Sequence, residues 1–561
     1  MKRLRPVVAG LILASIAAYL LFVQRREHVN ALYLNGKVYT LNEENPLAEA
    51  FAVRGDRFVE VGSGVRLRSR YEADTIVDLQ GKAVYPGFVD AHAHIEGLGA
   101  ALMNLNLNGK SLEEIREAVR GAAEGKRGDQ WIRGRGWDQN RWPGKQFPAH
   151  RDLDAVSQGR PVYLVRVDGH AAWVNKKVLE MAGVTRFTPD PPGGRILRDA
   201  HGDPTGVFVD NAMDRLGSLL PGPSEADREE AIELAIKEFL RKGITEVHDM
   251  GAGLALINTY KRLAFRGRFP FRVYVALEGT DSLAVDSYLR SGPEVDLYEG
   301  RITVRAIKLY ADGALGSRGA ALVEPYSDDP GNRGLTLTGS EELRLAAERC
   351  IEKGFQLCVH AIGDRANSIV VSAFEEAFNV KHIMGLTVRF RVEHAQVLSP
   401  PDIPRFSASG IIPSMQPVHC TSDMPWAPDR LGPVRIRGAY AWKSLINAGS
   451  LIPAGSDAPV EDPSPLAGFY AAVTRQRPDG TPAGGWNAPE RMTKEEALKS
   501  FTLWGSFAAF QEKEKGSIEP GKWADFVVLR DDIMTVDVRK IPGVPVEMTV
   551  VGGNVAYRGN P

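Results

Sequence analysis

At 561 residues, 43% of them hydrophobic and 25% charged, the chain has the make-up of a large folded protein with room for one big domain and accessories. Its formal net charge of −1 offers no basic surface to nucleic acid or to an acidic polymer. Its three cysteines, Cys350, Cys358 and Cys420, are too few and too irregular for a disulfide framework or a cysteine-based zinc site, and read as buried small apolar residues.

The chain opens with Lys2, Arg3 and Arg5, then 17 uncharged residues from Val7 to Val23, then Arg25 and Arg26. That is the pattern of a secretory signal or a signal anchor. A small-x-small site at Ser15-Ile16-Ala17 would leave Ala-Tyr-Leu-Leu-Phe-Val on the mature protein, so the reading favours an uncleaved single-pass anchor at the short end of membrane-spanning length. Positive residues flank both sides and leave the orientation open; an extracytoplasmic catalytic domain, tethered or exported, is the expectation.

Residues 31–86 read as strands. Ala31-Leu-Tyr-Leu, Asn35-Gly36 and Lys37-Val-Tyr-Thr-Leu suggest a hairpin, and Ala50 to Val53 with Arg57 to Val61 suggest another. The same texture returns after residue 511, in Ala524 to Leu529, Val546 to Val551 and Asn554 to Tyr557. Two short all-β pieces bracketing a long middle point to one small β domain, of sandwich type, assembled from residues 31–86 and 511–561.

At Val84-Tyr-Pro-Gly-Phe-Val-Asp-Ala-His-Ala-His94 an apolar strand ends in His-x-His. Alternate strand residues share a face, so His92 and His94 can aim two imidazoles at one point. The middle then repeats helix, glycine, strand. Ser224 precedes a helix over 225–242, with Gly243 and Ile244-Thr-Glu-Val-His248-Asp249 next. Ser340 precedes a helix over 341–353, with Gly354 and Phe355 to His360 next. A helix ends near Ala448-Gly449 before Ser450 to Asp457, and Ser111/Glu114 and Thr493/Glu496 are capping boxes, the latter before a helix over 497–510. This rhythm predicts parallel strands with helical crossovers, a (β/α)8 TIM barrel over 87–510 with an insertion at about 104–222; an open doubly wound sheet is the alternative, without a Gly-x-Gly-x-x-Gly to support it. Chemistry gathers at the strand ends: His92/His94, His248-Asp249, Lys308, His360, His394 after a strand over 387–393, and Asp457. In a barrel these ends converge on one mouth.

These residues resemble the metal-dependent amidohydrolase superfamily, and within it amidohydrolase family 3, the YtcJ-like and N-substituted formamide deformylase-like proteins. The stretches that carry the resemblance are Pro86 to His94, Lys308-Leu-Tyr-Ala-Asp-Gly-Ala-Leu-Gly-Ser-Arg318, Val359 to Asp364, Arg391 to Gln396 and Ala454 to Pro459. The resemblance implies a TIM barrel with a two-part β domain. It implies that His92 and His94 hold one divalent metal and His360 and His394 a second, with Lys308 bridging both as a lysine carboxylated by carbon dioxide. Asp457 would ligate a metal and carry the proton. Zinc is the expected ion of the two, although manganese, cobalt or iron suit the same donors.

Residue types then suggest the chemistry. A metal lowers the pKa of its bound water towards neutrality, Asp457 can take that proton and return it to a leaving nitrogen, and the other metal polarises the carbonyl. The expected reaction is hydrolysis of a non-peptide, amide-type C–N bond in a small molecule by metal-activated hydroxide. Hydrolysis of an ester or cyclic amide on the same site, and a non-catalytic binding protein on the same scaffold, are the alternatives. Superfamily deaminases of the mononuclear kind carry Glu three residues after the strand-5 histidine, where this chain has Gly363. In the insertion, Trp137, His170 and Trp173 are candidate substrate contacts, with packing as the other reading for the tryptophans; Trp426 is a further candidate. His248 and Asp249 are expected to support the ligands from behind. The expected partners are a small-molecule substrate, the membrane through residues 7–23, and a second copy in a homodimer.

Overall fold

The computed structural model describes residues 26–125, 130–139, 142–166, 171–191, 194–217, 219–316 and 318–559. The expected anchor at 7–23 and the candidate His170 lie outside the described residues. Among those described, no helix is long and apolar enough to cross a membrane. The chain divides into two compact units, one formed by the stretch up to Ile95 with Ile236 onward, the other by Glu96–Ala235.

The first unit is built on seven parallel strands in sequential order: β1 Phe88–Ala93, β2 Ile244–Ala252, β3 Arg272–Glu278, β4 Ile302–Tyr310, β5 Gln356–Ala361, β6 Arg391–His394 and β7 Ile412–Ser414. They are buried along nearly their whole length, as parallel strands covered on both faces must be. Residues 453–457 fill the eighth place. On one side Met415 N–H donates to Pro453 O (3.1 Å) and Gly455 N–H to Met415 O (3.0 Å); on the other, Ala91 N–H donates to Ala454 O (3.0 Å) and Asp457 N–H to His92 O (2.7 Å). The ring is thus nearly closed, which excludes the open doubly wound sheet.

Gly455 is required at this seam: a Cβ there would lie 2.5 Å from the His92 backbone nitrogen and 2.8 Å from Asp90 Oδ1. Most predicted crossovers are present. Ser224 and Asp227 bond reciprocally at the start of helix Glu225–Arg241, and Gly354, at φ 77°, closes helix Ser340–Lys353.

Strands from the two chain ends form two small sheets in the same unit. One runs 57–62, 50–54, 27–34, 71–78 in spatial order; the other runs 554–558, 546–551, 526–529, 83–86, 37–39, 47–48. They share an apolar cluster including Tyr33, Phe51, Phe58, Val84, Phe526 and Val550. The expected 31–41 hairpin is corrected here. Glu27–Leu34 and Lys37–Tyr39 lie in different sheets, because Asn35, at φ 58° and held by Asp78, sends the chain across. The 50–62 hairpin is present. Two further corrections concern lengths. Residues 385–388 form a helical turn, so the strand before His394 starts only at Arg391; the helix over 497–510 is two, Lys494–Ser500 and Leu503–Ala508.

The second unit extends the insertion at both ends. Its six-stranded sheet runs 194–198, 204–210, 171–174, 162–166, 132–137, 105–106, covered by helix Leu112–Gly125 with the Ser111/Glu114 box in place.

Candidate metal centre

At the C-terminal mouth of the first unit's strands, His92, His94, Lys308, His360, His394 and Asp457 come together. The strand alternation of β1 sets the first two. His94 Nε2 lies 3.1 Å and His92 Nε2 3.6 Å from Asp457 Oδ1. The His394 ring stands 4.9 Å from that of His92 and 4.5 Å from that of His360. Lys308, buried on β4, places its Nζ 3.5 Å from His92 Nε2 and makes no ion pair among the described residues.

Each central imidazole is oriented from behind. His92 Nδ1 is 2.7 Å from Glu393 Oε2, and His394 Nδ1 is 2.7 Å from Gln416 Oε1, which leaves both Nε2 atoms facing inward. His360 Nε2 is buried with no hydrogen-bond partner among the described residues. Burial holds the imidazoles uncharged, the form a cation needs: His92 falls to about 4 and His360 to about 3, each helped by the Lys308 charge, and His394 lies well below its usual range. Burial alone would raise the Asp457 carboxyl, but above all the hydrogen bond to His94 holds it well below the usual range. Neutral imidazoles, an ionised carboxylate and an orphaned buried nitrogen fit a divalent cation of the zinc, manganese, cobalt or iron class.

Beneath this layer Arg391 is the hub. It pairs with Glu393 (2.7 Å), and donates to Ala91 O (2.7 Å), Ser414 Oγ (3.0 Å) and His248 Nδ1 (2.8 Å), so one buried guanidinium ties β1, β2, β6 and β7. His248 thus supports the centre, but at two removes, and Glu246 with Lys515 backs it from below. Asp249 lies beside His248 towards the end of β2. It accepts from Ile95 N–H (3.1 Å) and Tyr260 O–H (2.7 Å), which fixes the chain just past His94. Asp90 performs the matching task at the seam, accepting from the backbone and hydroxyl of Ser456 beside Asp457.

The tryptophan expectation is corrected. Trp137 and Trp173 are fully buried in the second unit's core with Trp142, and their indole N–H groups donate to Leu164 O (2.9 Å) and Ala149 O (3.0 Å). They pack the insertion and have no surface for a substrate. Trp426 is half-buried and lies against Gly316, on the loop after β4.

Sequence reasoning missed three participants: Glu393, Gln416 and, above all, His419. His419, in helix Pro417–Asp423, has its Nε2 3.8 Å from Asp457 Oδ2 and its ring parallel to that of His394 at 6.1 Å. The only sign of Glu393 was its place two residues after Arg391 on a strand, which puts both on one face.

Known proteins resemble this arrangement over nearly its full length. The chain is 35% identical to the putative amidohydrolase YtcJ of Bacillus subtilis (strain 168), over 94% of this chain and 99% of that one. It is 27% identical to the N-substituted formamide deformylase of Arthrobacter pascens, over 94% and 98%. The crystal structure of an uncharacterized metal-dependent hydrolase from Pyrococcus furiosus superposes with a TM-score of 0.74 at 27% identity, covering 90% of this chain and all of that one. The sequence profile of the amidohydrolase family matches residues 75–557. The chain belongs to the amidohydrolase family.

Proposed function

We propose that this chain hydrolyses an amide-type C–N bond in a small molecule, with divalent cations held by His92, His94, Lys308, His360, His394 and Asp457. The observation that carries the reading is the meeting of these donors, four of them buried, from four strands and the closing segment, at one mouth. The similarity to a relative named for deformylating N-substituted formamides supports C–N cleavage. A cation bound there would supply Lewis acidity, lowering the pKa of a coordinated water and polarising the scissile carbonyl.

The chain's own residues do the rest. Glu393 and Gln416 keep the Nδ1 protons of His92 and His394 directed outward, so that both Nε2 lone pairs face the centre. Asp457, hydrogen-bonded to His94, accepts the proton of the attacking water through a carboxylate oxygen and delivers it to the leaving nitrogen. Burial lowers the Lys308 pKa and so eases loss of its proton; the amine so formed would add carbon dioxide to give a carbamate and one proton, and the new oxygens would face the imidazoles. Residues 7–23 would tether or export the enzyme, placing the catalytic unit outside the cytoplasm.

Elemental mass spectrometry of the full-length protein, with turnover of matched amides, esters and lactams, tests the reading. About two divalent ions per chain and turnover of the amides are expected. Turnover of esters or lactams alone would reassign the bond, and a protein that takes up no divalent ion would overturn the reading.

A further inference from the structure

We propose that His419 is a further metal donor of the centre, completing with His394 and Asp457 a second cation-holding triad that shares the Asp457 carboxylate with the triad of His92 and His94. The inference rests on the hydrolase reading above, and on the following geometry.

The ligand atoms of His92, His94 and Asp457 lie within 4.8 Å of one another, and so do those of His394, His419 and Asp457. The carboxylate is divided between the two groups. Oδ1 faces His94 at 3.1 Å and His92 at 3.6 Å, while Oδ2 faces His419 Nε2 at 3.8 Å. Two donors held at about 2.0–2.1 Å from a tetrahedral zinc stand roughly 3.3–3.4 Å apart, so the His419–Asp457 separation is within a small side-chain adjustment of ligation.

His419 Nε2 is buried without a hydrogen-bond partner among the described residues, and only 12% of the side chain is exposed. A buried imidazole nitrogen that neither donates nor accepts is unfavourable unless something meets it. Here it is aimed at an ionised carboxylate that already serves the neighbouring triad. Local structure explains the aim. Gln416 holds His394 Nδ1, Pro417 starts the helix one residue later, and the first turn brings His419 round so that its ring lies parallel to that of His394 at an interplanar angle of 20°. One short segment thus orients one donor and supplies another.

The assignment separates His419 from the donors that the family resemblance implies. Lys308 approaches from the other side, near His92 rather than His419. Removing His419 should therefore release the ion shared by His394 and Asp457 and leave the ion at His92 and His94 in place.

The test is metal binding by full-length protein carrying H419A and, as a near-isosteric control for folding, H419Q. Each is loaded with Zn2+ or Co2+ alone and compared with wild type by elemental mass spectrometry, resistance to a chelator, and the visible absorption of the cobalt form. About two ions per chain are expected in wild type and about one in both variants, with a changed cobalt spectrum and unchanged circular dichroism. Equal occupancy, chelator resistance and spectrum in the variants beside a loaded wild type would overturn the assignment of His419 alone. A wild type that binds no ion would overturn both this assignment and the hydrolase reading.

Discussion

Asp457 and His394 hold backbone angles that ordinary side chains avoid. Their φ values are 57° and 72°, in the left-handed region, where a non-glycine residue stores about 1–3 kcal/mol that the surroundings must offset. For Asp457 the offset is visible: its N–H donates to His92 O, and Asp90 grips the preceding serine on both backbone and hydroxyl. Asparagine tolerates this conformation at least as well as aspartate. Asp457→Asn should therefore keep the melting temperature within a few degrees while kcat on an amide substrate falls by about 10²–10⁴ through loss of the proton acceptor. Gln416→Ala removes only the acceptor behind His394, and should weaken metal retention by roughly 10–100-fold in a chelator titration. The candidate donors in β1, β4, β5 and β6 were legible as a group because strand alternation and strand ends have a sequence signature. His419 was not, because it stands on the first turn of a short helix at no regular spacing from His394 or Asp457. The tryptophans misled for a different reason: an indole beside polar residues in sequence says nothing of the carbonyls that will receive its N–H in the fold.

Loops are fixed at the element scale by carboxylates and close approaches. Asp312, four residues past Lys308, accepts from the N–H groups of Ile362 (2.9 Å), Gly363 (2.8 Å) and Ala321 (2.8 Å), and so clamps the turn after β5 to the loop after β4. The approach is so close that a Cβ on Gly363 would lie 1.9 Å from Ala321 O. A side chain here would have to push the Ala321 carbonyl aside, which gives a steric cause for glycine at the position where superfamily deaminases carry glutamate. Gly363→Ala should cost about 1–3 kcal/mol through overpacking, read as a lowered melting temperature. Asp532 joins the two chain ends in the same manner, accepting from Lys37 (2.6 Å), Tyr39 (2.9 Å) and Tyr85 (2.8 Å). Burial opposes its ionisation, yet these donors hold its carboxyl down to about 2 from an ordinary 3.8. A carboxylate depressed on folding contributes its full stability above the unfolded value and loses it as pH falls through the folded one. Acid unfolding should thus steepen between about pH 3.8 and 2, and Asp532→Asn should flatten that limb in a pH series of thermal melts. The helix and strand rhythm of the barrel was readable because capping residues and C-terminal glycines are local devices. The crossing at Asn35 was not, since an Asn-Gly pair carries the same local signal whether its strands pair or part.

At the scale of the molecule, strand Phe526–Leu529 pairs with Ala83–Pro86, and Arg272 at the start of β3 is buried in an ion pair with Asp525 at 2.6 Å. A chain ending at residue 525 would leave Val84, Phe51 and Phe58 uncovered and should lose cooperative thermal unfolding, appearing in the aggregated fraction on size-exclusion chromatography. That strands from residues 27–86 and 526–558 share sheets was legible from where the β texture starts and stops. The bounds of the second unit, Glu96–Ala235, carry no such mark, because both fall inside helices. The two-ended sheet also sets a clock on biosynthesis. Roughly 440 residues separate Pro86 from Phe526, so at about 5–20 residues per second the first strands wait on the order of 20–90 s for their partner to leave the ribosome. During that interval the apolar faces of the early strands are a surface for whatever holds nascent chains, and the strand at 526–529 decides when the enzyme stops being a client and becomes a fold.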